Sequence, residues 1–255
     1  MNLLNLFKRN RPQDFEMLLQ KACTEPGYHP ELMRRLLTEK LTILTNYSDR
    51  QAELNKTTDD REIGVFTFDD GRVPIFTSEE RIFDKDVFSK NVTRLSGEGK
   101  YVLKLIKGKA LTMNPYSEYG KEFSKEDIEH LLNGTYFTAN LIYGEIKKNA
   151  SVELSEPDRY PTEIVKSLIV LFSVKTDVFA AYVGWINDPA KDEPPHYIFA
   201  VDTEGDMKTL SSEAIFIAKQ FLPVDEIVDF MQINKANEIS NYFIKTIKPF
   251  YTKNS

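Results

Sequence analysis

Phe15, Leu18, Leu19 and Ala22 share one face of a 3.6-residue period, so the chain opens with an amphipathic helix. A second begins within "PGYHPELMRRLLTEK", where Pro30 suits a first helical turn because its missing N–H would have no intrahelical partner. "KLTILT" then changes to a strand pattern, and residues 46 to 61 are polar without apolar periodicity, a surface excursion. "EIGVFTFDDGRVPIFTSEERI" predicts two strands around an Asp-Asp-Gly turn, since Asp70-Gly71 accepts the positive φ of a tight hairpin. A helix should follow, with Thr77 and Glu80 spaced as a capping box. "GKYVLKLIKGKALTMNP" predicts a helix closing at Gly108 and a strand ending at Asn114-Pro115. Next, Ser124 and Asp127 form a second capping box, Phe123 and Ile128 a hydrophobic staple, and Asn133-Gly134 a helix stop.

Around residues 148 to 160 the chain turns polar and proline-punctuated, as a linker does, and a second set of elements begins. Ile164, Val165, Leu168, Ile169 and Phe172 mark a helix, while "VFAAYVGWI" and "HYIFAV" are continuous apolar runs of the kind found in central strands. "SSEAIFIAKQFLP" reads as a helix capped by Ser212, "EIVDFMQI" as a strand, and "ANEISNYFIKTIKPF" as a closing helix. The whole pattern predicts an α+β protein of two mixed α/β domains, each a small sheet covered by helices. The first spans 1–150 and includes the two leading helices; the second spans 151–255.

Composition narrows the function classes. With 255 residues, 41% hydrophobic and 12% aromatic, the chain can bury two cores. A net charge of -6 argues against a nucleic-acid partner, which requires clustered Lys and Arg. One cysteine, Cys23, excludes an internal disulfide and a cysteine-only metal cage, and the reading is cytoplasmic. "MNLLNLFKRNRP" is too short in its apolar part for an export signal, with its basic residues on the wrong side. It is either a docking segment against its own domain or an amphipathic contact with a partner or a membrane surface. No apolar run approaches the ~18 residues of a transmembrane segment.

No motif carries chemistry. His29, His130 and His196 lack a second ligand at metal-binding spacing and read as surface or capping residues, and Cys23 ends an apolar helical stripe as a small buried thiol. "SGEGKYV" fails the phosphate-loop spacing and reads as a loop and helix start. The expectation is therefore no catalytic residue, no metal and no cofactor. What remains is "NPYSEYGKE", between a strand end and a helix start, a place where ligands often bind in α/β proteins. Because Ser124 already caps the helix, Asn114, Tyr116, Tyr119, Lys121 and Glu122 are the candidate partner or ligand corner. The corner is either that or a turn held by its own hydrogen bonds, with an interdomain brace as its other structural job.

"VPIFTSEERI", "LTMNPYSEYGKEFSKEDIEHLL" and "ISNYFIKTIKPFY", in that order, resemble the enhanced serine sensitivity protein family (SseB), N-terminal domain followed by its dedicated C-terminal domain. "LLQKACTEPGYHPELMRRLL" looks like the family's start, so the resemblance covers nearly the whole chain. It implies a bacterial, cytoplasmic protein with no established reaction and no catalytic residues to transfer. The function it implies is non-catalytic: protein–protein contacts, as a regulator linked to amino-acid (serine) or sulfur metabolism. Two other classes stay open, a small-molecule sensor with its ligand at the 114–122 corner and an immunity-type inhibitor of a toxin.

Overall fold

The computed structural model describes residues 14–45, 64–89, 91–138, 152–191, 193–223 and 225–253. The amino-terminal segment, the 46–61 excursion and the expected domain boundary at 150/151 lie outside them. The chain divides into two compact units, 1–136 and 137–255. It is α+β, with one mixed five-stranded sheet in each.

The first unit opens with α1 (Phe15–Thr24) and α2 (His29–Leu36), followed by β1 (Lys40–Leu44) and β2 (Val73–Phe76). Then come β3 (Arg94–Glu98), α3 (Gly99–Leu105), β4 (Leu111–Met113), β5 (Lys121–Phe123) and α4 (Lys125–Asn133). The sheet order is β3-β1-β2-β4-β5, with only β2 and β4 parallel. Leu111 and Met113 face Phe123 and Lys121 across the β4–β5 pair, while Thr112 faces Glu122, so alternation sends Lys121 and Glu122 to opposite faces. The other face of the sheet carries a cluster of Leu44, Phe76 and Ile82 with Phe88 and Tyr116 packed on it.

Several expectations change here. The Asp70-Gly71 turn forms with Gly71 at φ +84, but among the described residues before it Val65 alone makes a β-bridge, to Thr45. Thr77 caps nothing: the segment after it is a short 3-10 turn, Glu80–Asp86, with no side-chain cap. "RLSGE" is a strand and not a loop, because β1 offers it a full antiparallel partner from Lys40 to Leu44. The Ser124–Asp127 capping box is present with both hydrogen bonds, and Gly134 ends α4 at φ +72.

The second unit runs β6 (Glu153–Ser155), α5 (Thr162–Ser173), β7 (Val178–Asn187), β8 (His196–Thr203), α6 (Met207–Ala218), β9 (Val228–Gln232), α7 (Glu238–Thr246) and β10 (Tyr251–Thr252). β7 and β8 form the antiparallel centre, β9 adds in parallel to β8, and β6 and β10 pair with different stretches of β7. Residues of β8 alternate between two cores. Tyr197, Phe199 and Val201 pack with α5 and α6, Ile198 and Ala200 with Phe243 and Ile247. That two-sided burial is why "HYIFAV" is apolar without alternation. The stretch expected to be linker supplies β6. Ser212 lies inside α6, 1% exposed, and Asp206 caps that helix instead. The closing helix stops at Thr246 and the chain returns to the sheet as β10.

Candidate functional site

β4 ends at Met113, and the next residue, Asn114, turns the chain at φ +46, a left-handed conformation that Asn tolerates better than most residues. Its amide is what holds the turn. Oδ1 accepts the Thr77 backbone N–H at 3.0 Å and Nδ2 donates to Thr77 Oγ1 at 2.8 Å. Thr77 Oγ1 in turn donates to Glu16 Oε1 at 3.0 Å. Glu16 Oε2 receives Arg81 through Nε at 2.8 Å and Nη2 at 2.5 Å, and Arg81 Nη1 reaches Asp84 Oδ2 at 3.3 Å. Ser117 donates its hydroxyl to Asp84, and its backbone N–H to Asn114 O at 3.0 Å, which closes the ring. Arg81 holds the Glu16 carboxyl below the usual carboxylate range, against burial, with Thr77 and Ser78 adding to it.

This ring borders an open groove of about 320 Å³ between α1 and the 114–119 turn. Glu16, Arg81, Asn114 and Ser117 line it, and Met17 and Tyr119 also border it, Met17 at 51% exposure. Of the five corner residues, then, the structure brings two to one cavity. Asn114 is only 3% exposed and acts as the staple of its own turn. Tyr116 is no exposed anchor: it joins the aromatic cluster, edge to face with Phe88 at 5.6 Å and Phe68 at 6.3 Å. Glu122 is exposed and accepts from Arg72, which also binds Asp70 at 2.7 Å. Lys121 lies over the Phe123 ring at 5.8 Å, and burial depresses its pKa.

Lys121 also shares an electrostatic neighbourhood with two residues that sequence reasoning treated separately. Burial, with the Lys121 ammonium adding to it, pushes His29 down to about 4, so that imidazole is neutral at physiological pH. Cys23 is exposed rather than buried, its thiol meeting Gly120 O at 3.4 Å, and partial desolvation raises its pKa against the pull of Lys121. A thiol shifted upward is a poor nucleophile. His196 is not a surface residue either: it is 4% exposed, Nδ1 meets Pro194 O at 2.8 Å and Nε2 meets Asp229 Oδ2 at 3.2 Å. Among the described residues, no three or more His, Cys, Asp or Glu gather as metal ligands. The ring was missed because its members are scattered from Glu16 to Ser117 and no local spacing announces them. The one available signal was a polar residue, Asn114, following an apolar strand at a position that tolerates φ > 0.

Comparison with known proteins follows the two units. The SseB protein N-terminal domain matches residues 16–130 and the SseB protein C-terminal domain residues 146–253. Protein SseB of Escherichia coli (strain K12) is 25% identical over 249 residues, covering 94% of this chain and 92% of that protein. Protein SseB of Shigella flexneri is similar to the same extent. No solved structure matches the chain.

Proposed function

Since the chain belongs to the SseB family through matches to both of its domains, we propose that it is a non-catalytic cytoplasmic protein acting through contacts with a protein partner. Its link to amino-acid (serine) or sulfur metabolism rests on the family resemblance alone. No helix among the described residues is long and apolar enough to cross a membrane. The observation that carries the reading is the groove beside the 114–119 turn. Its polar side chains hold one another in a closed ring, which fixes the backbone while leaving Met17 and Tyr119 presented at the border. Apolar and aromatic side chains carried on a braced backbone around a small cleft suit anchoring of a partner's side chain, because little backbone entropy remains to be lost on binding.

A small ligand in the same groove is the competing reading. It is favoured by a volume of about 320 Å³, within the range of ligand pockets, and by the Arg81–Glu16 pair at its wall. Met17→Ala with Tyr119→Ala separates the outcomes. Affinity capture from native cytosol with mass spectrometry should show a partner held by the wild type and lost by the double variant, at unchanged melting temperature. Retention of every partner by the variant removes the groove from the account.

A further inference from the structure

From Gly99 to Ser117 the chain carries four lysines and no acidic residue. α3 turns Val102 and Leu103 into the core, fully buried, and leaves Lys100, Tyr101 and Lys104 on its exposed face. Beyond α3 the chain tightens into a further turn, where the Lys107 N–H donates to Lys104 O at 3.3 Å and the Lys109 N–H to Ile106 O at 3.0 Å. Residues three apart eclipse in such a turn, so Lys107 stays beside Lys104, and Lys100, four residues before Lys104, completes one cationic stripe. Tyr101, 46% exposed, lies within it, with the Lys104 ammonium 6.0 Å from its ring centre. The stripe is held in place from beneath. The Gly99 N–H donates to Glu39 O and the Lys100 N–H to Leu37 O, both at 2.8 Å, and a Cβ on Gly99 would strike Leu36 O. Those carbonyls use the first backbone donors of α3, so its attraction for anions comes from the side chains.

The ammonium groups are not neutralised from nearby. Among the described residues none of the four lysines has an ion-pair partner. On the elements packed against α3, Glu98 of β3 faces Lys40 of β1 as its register partner, Glu126 of α4 meets Lys125 at 3.4 Å, and Asp127 is bound in the Ser124 cap. Glu39, just before β1, is held by Arg35 at 2.7 Å. That leaves Glu129 of α4 against the four lysines. Ammonium groups only donate, so the complement of the stripe is a row of negatively charged acceptors. Lys100 and Lys104 are about 6 Å apart along the helix axis, near the ~6.6 Å between alternate residues of an extended chain. A short acidic segment stays within about a Debye length, ~8 Å, of the stripe, whereas a membrane or nucleic acid extends over the acidic remainder of a chain of net charge -6 as well. We propose that this stripe docks an acidic segment of a partner protein, with carboxylates at alternate positions. It shares no residue with the groove beside the 114–119 turn, and the proposal does not depend on that groove.

The intact protein is titrated with a fluorescein-labelled peptide of alternating glutamate and serine, followed by anisotropy. The comparisons are the same peptide with glutamine for glutamate, a single-stranded oligonucleotide and vesicles of anionic phospholipid. The glutamate peptide should bind saturably, and more weakly as salt is raised from about 0.05 to 0.5 M. The glutamine peptide should not bind, and the oligonucleotide and vesicles should bind less tightly than the glutamate peptide. Exposed ion pairs contribute about two- to fivefold each, so Lys100→Gln with Lys104→Gln and Lys107→Gln should weaken binding about tenfold or more. All three side chains are exposed, so the melting temperature should hold. Should it fall, Lys→Arg at the same three positions decides, since it keeps the charge and must keep the binding. Lys208→Gln with Lys235→Gln and Lys245→Gln changes the net charge equally from exposed positions of the second unit, and should leave the affinity within about twofold. No saturable response, equal binding of the glutamine peptide, unchanged affinity in the stripe variant, or an equal loss in the second-unit variant overturns the proposal. Tighter binding of the oligonucleotide or the vesicles, lost in the stripe variant, assigns the stripe to that polyanion and overturns the acidic segment as its occupant.

Discussion

His196 and Ser124 show how much a single side chain decides in this fold. Burial, the largest influence on His196, disfavours its charged form, yet the Asp229 carboxylate and the Pro194 carbonyl on its two ring nitrogens, with Glu193 nearby, outweigh it and raise its pKa above 6.5. A raised histidine pKa stabilises the fold fully below the unfolded value, and that contribution is lost as pH rises through the folded value. Stability of the second unit should therefore decline as pH is raised from about 6 to above the folded pKa of His196. His196→Gln should flatten that part of the profile, as urea unfolding at a series of pH values would show. Equal pH slopes in the two proteins would contradict the pairing. Ser124 has a simpler role. Its hydroxyl accepts the Asp127 N–H at 3.0 Å while Asp127 accepts the Ser124 N–H at 2.9 Å, so Ser124→Ala should lower stability by about 0.5 to 2 kcal/mol in thermal unfolding. Thr77, which has the same spacing to Glu80, is drawn away from capping by two better partners, Asn114 and Glu16.

At the scale of the element, what could be read from sequence was whatever an element's own residues determine. α1, α2, α4, α5, β7 and β8 carry their periodicity or apolar run internally, and α4 carries its caps as well. β3, β5, β6 and β10 do not: the last three have only two or three residues, and what makes them strands is a partner distant in sequence. A short triplet such as "KEF" or a linker-like "ELS" therefore reads as loop until β4 or β7 is beside it. The same limit hid the hydrogen-bonded ring and scattered the candidate corner, since neighbours in sequence on β5 face opposite ways. One glycine shows the packing that short strands impose. A Cβ on Gly184, in β7, would meet the Phe243 ring at 2.9 and 3.1 Å and the Ser155 carbonyl of β6 at 3.4 Å. Phe243 is fully buried, so Gly184→Ala should cost about 1 to 3 kcal/mol through overpacking. Unchanged denaturant midpoints would mean that α7 packs more loosely than these contacts imply.

On the scale of the whole molecule, each unit has its own sheet and its own core, and each has an open cavity: a groove braced by a hydrogen-bonded ring in the first, one lined by aromatic side chains in the second. Neither is assembled around a nucleophile or a metal cluster among the described residues. In the first unit the ionic side chains near the groove compensate one another, Arg81 with Glu16 and Asp84. The proposed reading, and its central claim, is that a protein partner contacts this groove. The most direct measurement is photo-crosslinking in cells with benzoylphenylalanine placed at position 119 in place of Tyr119, and at position 244 in place of the exposed Ile244 as a control. A discrete crosslinked protein from position 119 and none from position 244 is the predicted result. No crosslinked species from position 119, or the same species from both positions, would contradict it.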